Sequence, residues 1–178
     1  QDLPFKLTNG QLQALEEINA DLKSDEKMFR VLQGDVGSGK TIVAMLSLAN
    51  IIESNYQCTL MSPTEILARQ HYELAKKIFK NKDVNIDYLS GKTIPKEKKQ
   101  ILKKLEEGKI DFLIGTHALF QKKIIFKKLG YAVIDEQHKF GVKQRFDLAL
   151  KGGTNCDVLL MSATPIPRTM MMSLYGDM

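Results

Sequence analysis

The chain has 178 residues, of which 43% are hydrophobic and 26% charged, with a net charge of +5; this is the balance of one well-packed globular domain. No apolar run approaches the roughly 20 residues of a membrane-crossing helix, and the N-terminus lacks the basic-then-apolar layout of a signal peptide. A transmembrane or secreted reading therefore has no support, and the positive charge is compatible with a polyanionic partner without requiring one.

Helix and strand signals alternate along the chain. Leu12, Leu15, Ile18 and Leu22 recur at helical spacing. Residues 28–33 predict a strand that feeds a glycine-rich turn, and 40–53 form an apolar stretch too long for a strand, hence a largely buried helix. A strand at 58–62 and a helix at 64–79 follow, then a strand at 84–89. Residues 95–108 predict an amphipathic helix, with Pro95 in its first turn and Gly108 beyond its end. Short apolar strands are expected at 110–115, 129–135 and 156–162, and a helix after Pro167. Roughly six strands separated by helices predict an α/β domain of three layers, a mostly parallel sheet covered by helices on both faces. In such sheets ligands bind at the carboxyl ends of the strands, and the polar motifs fall there.

"GDVGSGKT" (34–41) fits the phosphate-binding pattern G-x-x-x-x-G-K-[ST] between a strand and a helix. Its glycines let the backbone aim N–H groups at phosphate oxygens, and the helix N-terminus adds partial positive charge. Lys40 would reach the outer phosphates and Thr41 would hold Mg²⁺. "YAVIDE" (131–136) is an apolar strand ending in two acids. Asp135 suits support of Mg²⁺, and Glu136 suits the base that orients and deprotonates an attacking water. On its own the pair also reads as a solvated strand end; beside the phosphate loop the catalytic reading gains weight.

The remaining motifs carry a plainer alternative each. Thr8 and Gln11 form a capping box, while Gln11 with Phe5 nearby also suits an adenine edge; spacing alone favours the cap. "SPTEILARQH" (62–71) and "GTHALFQ" (115–121) each place Thr at an expected helix start, which serves either capping or a nucleic-acid backbone. "MSATPIPRT" (161–169) is a rigid, hydroxyl-bearing turn suited to a relay, or a plain proline turn. The lysines at 96–104 and 122–128 read as solvated faces. The three histidines and two cysteines make no zinc spacing. Cys58 reads as a buried thiol, which makes a reducing cytoplasm the simpler location.

In order and spacing these motifs resemble the first motor lobe of a superfamily-2 helicase, and within that superfamily the RecG family. The resemblance runs from about Leu3 to the C-terminus. It implies a RecA-like P-loop NTPase lobe with ATP and Mg²⁺ as cofactors. Phe5, Gln11, Gly34, Asp35, Val36, Gly37, Ser38, Gly39, Lys40 and Thr41 would bind ATP. Lys40, Asp135 and Glu136 would be catalytic, with Thr41 and Asp135 at the metal. Gln137, His138, Ser162, Thr164 and Arg168 would couple ATP to DNA, and Thr64, Arg69, Thr116 and His117 would lie at the DNA. Gly10, Arg69 and Lys139 depart from the Ala, Glu and Arg expected of the family, and the reversed charge at Arg69 bears on its DNA role.

The resemblance further implies a parent protein that remodels branched duplex DNA, such as stalled replication forks, in repair and recombination. It implies a cytoplasmic, nucleoid-associated protein with no membrane role. Its partners would be a second motor lobe, a wedge domain and single-stranded-DNA-binding protein. Neither the wedge domain nor the arginine-bearing second lobe is expected within residues 1–178, so this stretch alone should turn over little ATP. Alternatives are a transcription-repair coupling or primosomal translocase, a non-motor P-loop enzyme such as a small-molecule kinase, and a nucleic-acid-binding module with a vestigial loop.

Overall fold

A computed structural model of the chain describes residues 6–24, 29–33, 39–120, 123–136 and 156–162, apart from the side chains of Phe29, His117, Phe120 and Glu136. Among the described residues the elements are α1 (Asn9–Lys23), β1 (Phe29–Gln33), α2 (Lys40–Glu53), β2 (Gln57–Met61), α3 (Glu65–Ile78), β3 (Ile86–Leu89), α4 (Pro95–Glu106), β4 (Phe112–Gly115), β5 (Leu129–Glu136) and β6 (Asp157–Ser162), with a 3₁₀ turn at His117–Phe120 after β4. The expected helix after Pro167 lies outside the described residues.

The six strands form one sheet in the order β1-β6-β5-β2-β4-β3, and every pairing is parallel. The expected α/β architecture is therefore observed. Strand alternation builds two cores. On one face Tyr131 and Val133 of β5 and Leu159 and Met161 of β6 pack against Ile18, Met45, Leu48 and Ala75, which come from α1, α2 and α3. On the other face Ile134, Val158 and Leu160 meet Ile101 and Leu105 of α4 and Leu119 of the 3₁₀ turn.

Local chemistry sets the boundaries. Strand β3 starts at Ile86 rather than Val84, because the Asn85 amide donates to the Asp111 carboxylate (2.8 Å) instead of entering the ladder. Helix α4 stops at Glu106, and Gly108 follows in the left-handed region at φ +76°. Gly115 closes β4 where a side chain has no room: a Cβ there would stand 2.2 Å from the Leu89 carbonyl oxygen. The backbone then turns at Thr116, whose carbonyl accepts from the Leu119 amide at 3.0 Å.

Because all strands run the same way, their carboxyl ends share one edge. Gln33, Ser162 and Glu136 end β1, β6 and β5 side by side in register. Two strand spacings place the backbone at Gln33 about 10 Å from that at Glu136. The loop that leaves β1 and the acids that close β5 are thus held on one edge by the parallel sheet, with Ser162 between them.

Candidate active site

Helices α1, α2 and α3 start near this edge. The first has the predicted capping box: the Thr8 amide donates to Gln11 Oε1 (2.8 Å) and the Gln11 amide donates to Thr8 Oγ1 (3.2 Å). Gln11 Nε2 also donates to the Gly39 carbonyl at 3.4 Å. One amide side chain therefore caps α1 and ties it to the residue from which α2 springs. Helix α3 is capped by Thr64 Oγ1, which accepts from the Leu67 amide at 3.2 Å.

Helix α2 starts differently. Its N-cap is Gly39, at φ +82°, which supplies no side-chain cap. The left-handed backbone favours glycine; a Cβ there would lie 1.9 Å from Gln11 Nε2, so the Gln11 side chain would also have to swing away. Lys40 and Thr41 form the first turn, half-buried. The first-turn N–H groups of a helix have no intrahelical acceptor, and they favour an anion.

Asp135 sits on β5 with the parity of Tyr131 and Val133, so it faces α2 and α3. It is 3% exposed. A buried carboxylate needs hydrogen-bond donors, and two neighbouring elements supply them. His71 Nε2, from α3, lies 2.8 Å from Asp135 Oδ2, and the Ser62 hydroxyl, just past β2, donates to the same oxygen at 3.4 Å. Neither bond uses Oδ1. Ser162 is buried at the end of β6, and Glu136 is the last residue of β5.

The residues expected to meet nucleic acid lie further along the same edge. Thr64 and Arg69 are exposed. The Arg69 guanidinium stacks over the Tyr88 ring at 4.1 Å and lies 5.9 Å from the Tyr72 centroid, a cation–π arrangement that fixes its head. Arg69, Tyr88, Glu65, Lys92 and Ile94 line a groove of about 790 Å³ between the starts of α3 and α4. The Ser90 hydroxyl and then Lys92, 3.2 Å away, hold the Glu65 carboxyl below its ordinary value. Thr116 is buried, and the segment after it is a 3₁₀ turn that opens at His117 rather than a full helix. Phe5, Gly34, Asp35, Val36, Gly37, Ser38, Gln137, His138, Thr164 and Arg168 lie outside the described residues. Among the described residues no cluster of three metal-ligating side chains occurs.

His71 and Ser62 were not among the expected site residues. The signal for His71 was present: Ala68, His71, Ala75 and Ile78 form the buried stripe of α3, so the imidazole points into the protein where an ordinary surface histidine would not.

The DEAD/DEAH box helicase profile matches residues 8–173. The ATP-dependent DNA helicase RecG of Aquifex aeolicus is 53% identical over 179 aligned residues, covering 100% of this chain and 23% of the relative. RecG of Thermotoga maritima is 51% identical, again over 100% of this chain and 23% of the relative. A solved structure of RecG bound to a three-way DNA junction superposes with a TM-score of 0.81 at 48% identity, covering 98% of this chain and 23% of that one. The chain thus spans about a quarter of the length of these relatives. It belongs to the DEAD/DEAH box helicase family, within which it is similar along its whole length to the RecG helicases.

Proposed function

We propose that the chain is the ATP-binding lobe of an ATP-dependent DNA translocase that remodels branched DNA in repair and recombination. The observation that carries this reading is the buried Asp135 on the α2 face of the sheet, at the edge where the phosphate-loop strand also ends. The whole-chain similarity to RecG, including a RecG structure with a three-way junction, supports the branched substrate.

The residues present fit a magnesium nucleotide. Helix α2 opens on a glycine without a side-chain cap, and Asp135 has an oxygen outside both of its bonds. Bound Mg-ATP would supply the phosphoanhydride to be cleaved, with the metal offsetting charge on its phosphates. In this reading Lys40 and the α2 N-terminus bind the phosphates, and Thr41 and Asp135 hold the metal. Glu136 orients and deprotonates the attacking water. Gln11 reads adenine with the amide that here caps α1, and Phe5 lies beside the base. Gln137, His138, Ser162, Thr164 and Arg168 relay nucleotide state to the DNA side, where Thr64, Arg69, Thr116 and His117 lie near the backbone.

A second motor lobe would complete the ATP site, and a wedge domain would grip the junction. Single-stranded-DNA-binding protein is a further partner. The location that follows is cytoplasmic, at the nucleoid. A non-motor P-loop enzyme is not favoured, since it leaves the motifs after β2 and β6 without a role.

The test is Glu136→Gln in the full-length protein, followed by DNA-stimulated ATP hydrolysis and by binding of a fluorescent ATP analogue. Turnover should fall by at least about a hundredfold, the lower bound for loss of a positioned base, with binding retained. Undiminished turnover would remove Glu136 as the base.

A further inference from the structure

We infer that His71 is a positioning residue for the metal site: it holds Asp135 in the rotamer that leaves Oδ1 for Mg²⁺, and so couples α3 to the nucleotide. This rests on the reading of Asp135 as a metal-supporting acid.

The geometry is specific. An ionised Asp135 can only accept hydrogen bonds, so His71 must carry its hydrogen on Nε2, and the 2.8 Å separation fits such a charge-assisted bond. His71 is 7% exposed and Asp135 3%. In that setting water screens the bond little, and losing the donor leaves a buried charge short of a partner. Ser62 at 3.4 Å is the longer contact, which makes the imidazole the principal anchor. Both donors take Oδ2, so rotation of the carboxylate is restrained while Oδ1 is left to other partners. Partners that orient a ligating side chain tune metal affinity in this way.

The origin of the donor also matters. Ser62 belongs to the segment just past β2, next to β5 in the sheet. His71, by contrast, comes from α3, whose first turns carry Thr64 and Arg69. The other buried positions of α3 are Ala68, Ala75 and Ile78, so the imidazole is the polar link between this helix and the acid. Thr64, the N-cap, lies about two turns before His71 and Arg69 about half a turn before it, and both are exposed. A shift of α3 caused by contact there would move the donor and change how Asp135 meets the metal.

The experiment is done in the full-length protein with His71→Gln and His71→Asn, which are close in size and polarity. The Gln amide can reach the position of Nε2, and the shorter Asn amide cannot. A fluorescent ATP analogue is titrated at a series of Mg²⁺ concentrations, with Asp135→Ala alongside and thermal unfolding as the check on folding. The Mg²⁺ concentration at half-maximal tightening should rise about tenfold in His71→Asn, the lower range for such orienting partners. It should return to within about threefold of the original in His71→Gln, while binding in the absence of Mg²⁺ stays the same in both. Equal Mg²⁺ dependence of the two variants, with Asp135→Ala clearly shifted, would overturn the role of His71 and leave the metal reading standing. An unshifted Asp135→Ala would instead overturn the metal reading itself.

Discussion

The two ends of β2 both bury polar side chains, and they do so differently. At the amino end Gln57 is 4% exposed. Its Nε2 donates to the Leu105 and Ile110 carbonyls at 3.0 and 2.9 Å, and its Oε1 accepts from the Lys128 amide at 2.8 Å. That neutral amide has both donors and an acceptor engaged, and it staples the end of α4, the approach to β4 and the start of β5. At the carboxyl end Ser62 and His71 each bond Asp135, and there the buried group is a carboxylate with both bonds on one oxygen. The closed end holds the fold. The open end leaves one carboxylate oxygen outside both bonds, and it is the end to which the proposed function assigns the metal.

This division is breakable. Gln57→Leu should lower stability by about 3 kcal/mol, since two carbonyls and an amide each lose a buried partner. The loss is read from the denaturation midpoint, and the Mg²⁺ dependence of nucleotide binding should not move. A shifted Mg²⁺ dependence would mean that the two ends are not separate.

A smaller effect concerns Tyr131, on the same face as Asp135 and bonded to Ser47 at 2.9 Å. Burial pushes its phenol well above the ordinary value, against the opposing effect of Ser47. Burial likewise pushes the Cys58 thiol up, with Cys156 and Asp111 adding to it. Both groups stay protonated in the folded chain while the unfolded chain ionises near about 8.5 for the thiol and 10 for the phenol. The unfolded state then binds fewer protons, so stability is intact below those values and falls as pH rises through them. The slope is about 1.4 kcal/mol per pH unit for each group. Tyr131→Phe should flatten the alkaline limb above about pH 10, as read from denaturation midpoints against pH; an unchanged limb would contradict the assignment.

Much of this was legible in the sequence where local chemistry decides. The span of α2 at 40–53 follows from an unbroken apolar stretch after the glycine turn, and it is observed without change. The capping box at Thr8 and Gln11 was readable from spacing and is present. Strand order was not readable, because it depends on which crossovers pack. The helix expected after β4 is a 3₁₀ turn, in which the Leu119 amide bonds the Thr116 carbonyl three residues back while the Thr116 amide still bonds the Leu89 carbonyl. His71 could be placed on the buried side of α3, but its partner lies 64 residues away on another element. Gln57 gave no signal at all: a glutamine before an apolar strand looks like a surface residue until three separate segments converge on it.

The proposed function rests on binding of a magnesium nucleotide at the strand-end edge. Its most direct test is calorimetric titration of the full-length protein with a non-hydrolysable ATP analogue, with and without Mg²⁺, against Lys40→Ala. Saturable binding should be tightened by Mg²⁺ and weakened by Lys40→Ala by at least about tenfold, the loss expected when a charge-assisted bond to phosphate is removed. Binding that ignores Mg²⁺, or that survives undiminished in Lys40→Ala, would contradict the proposed function.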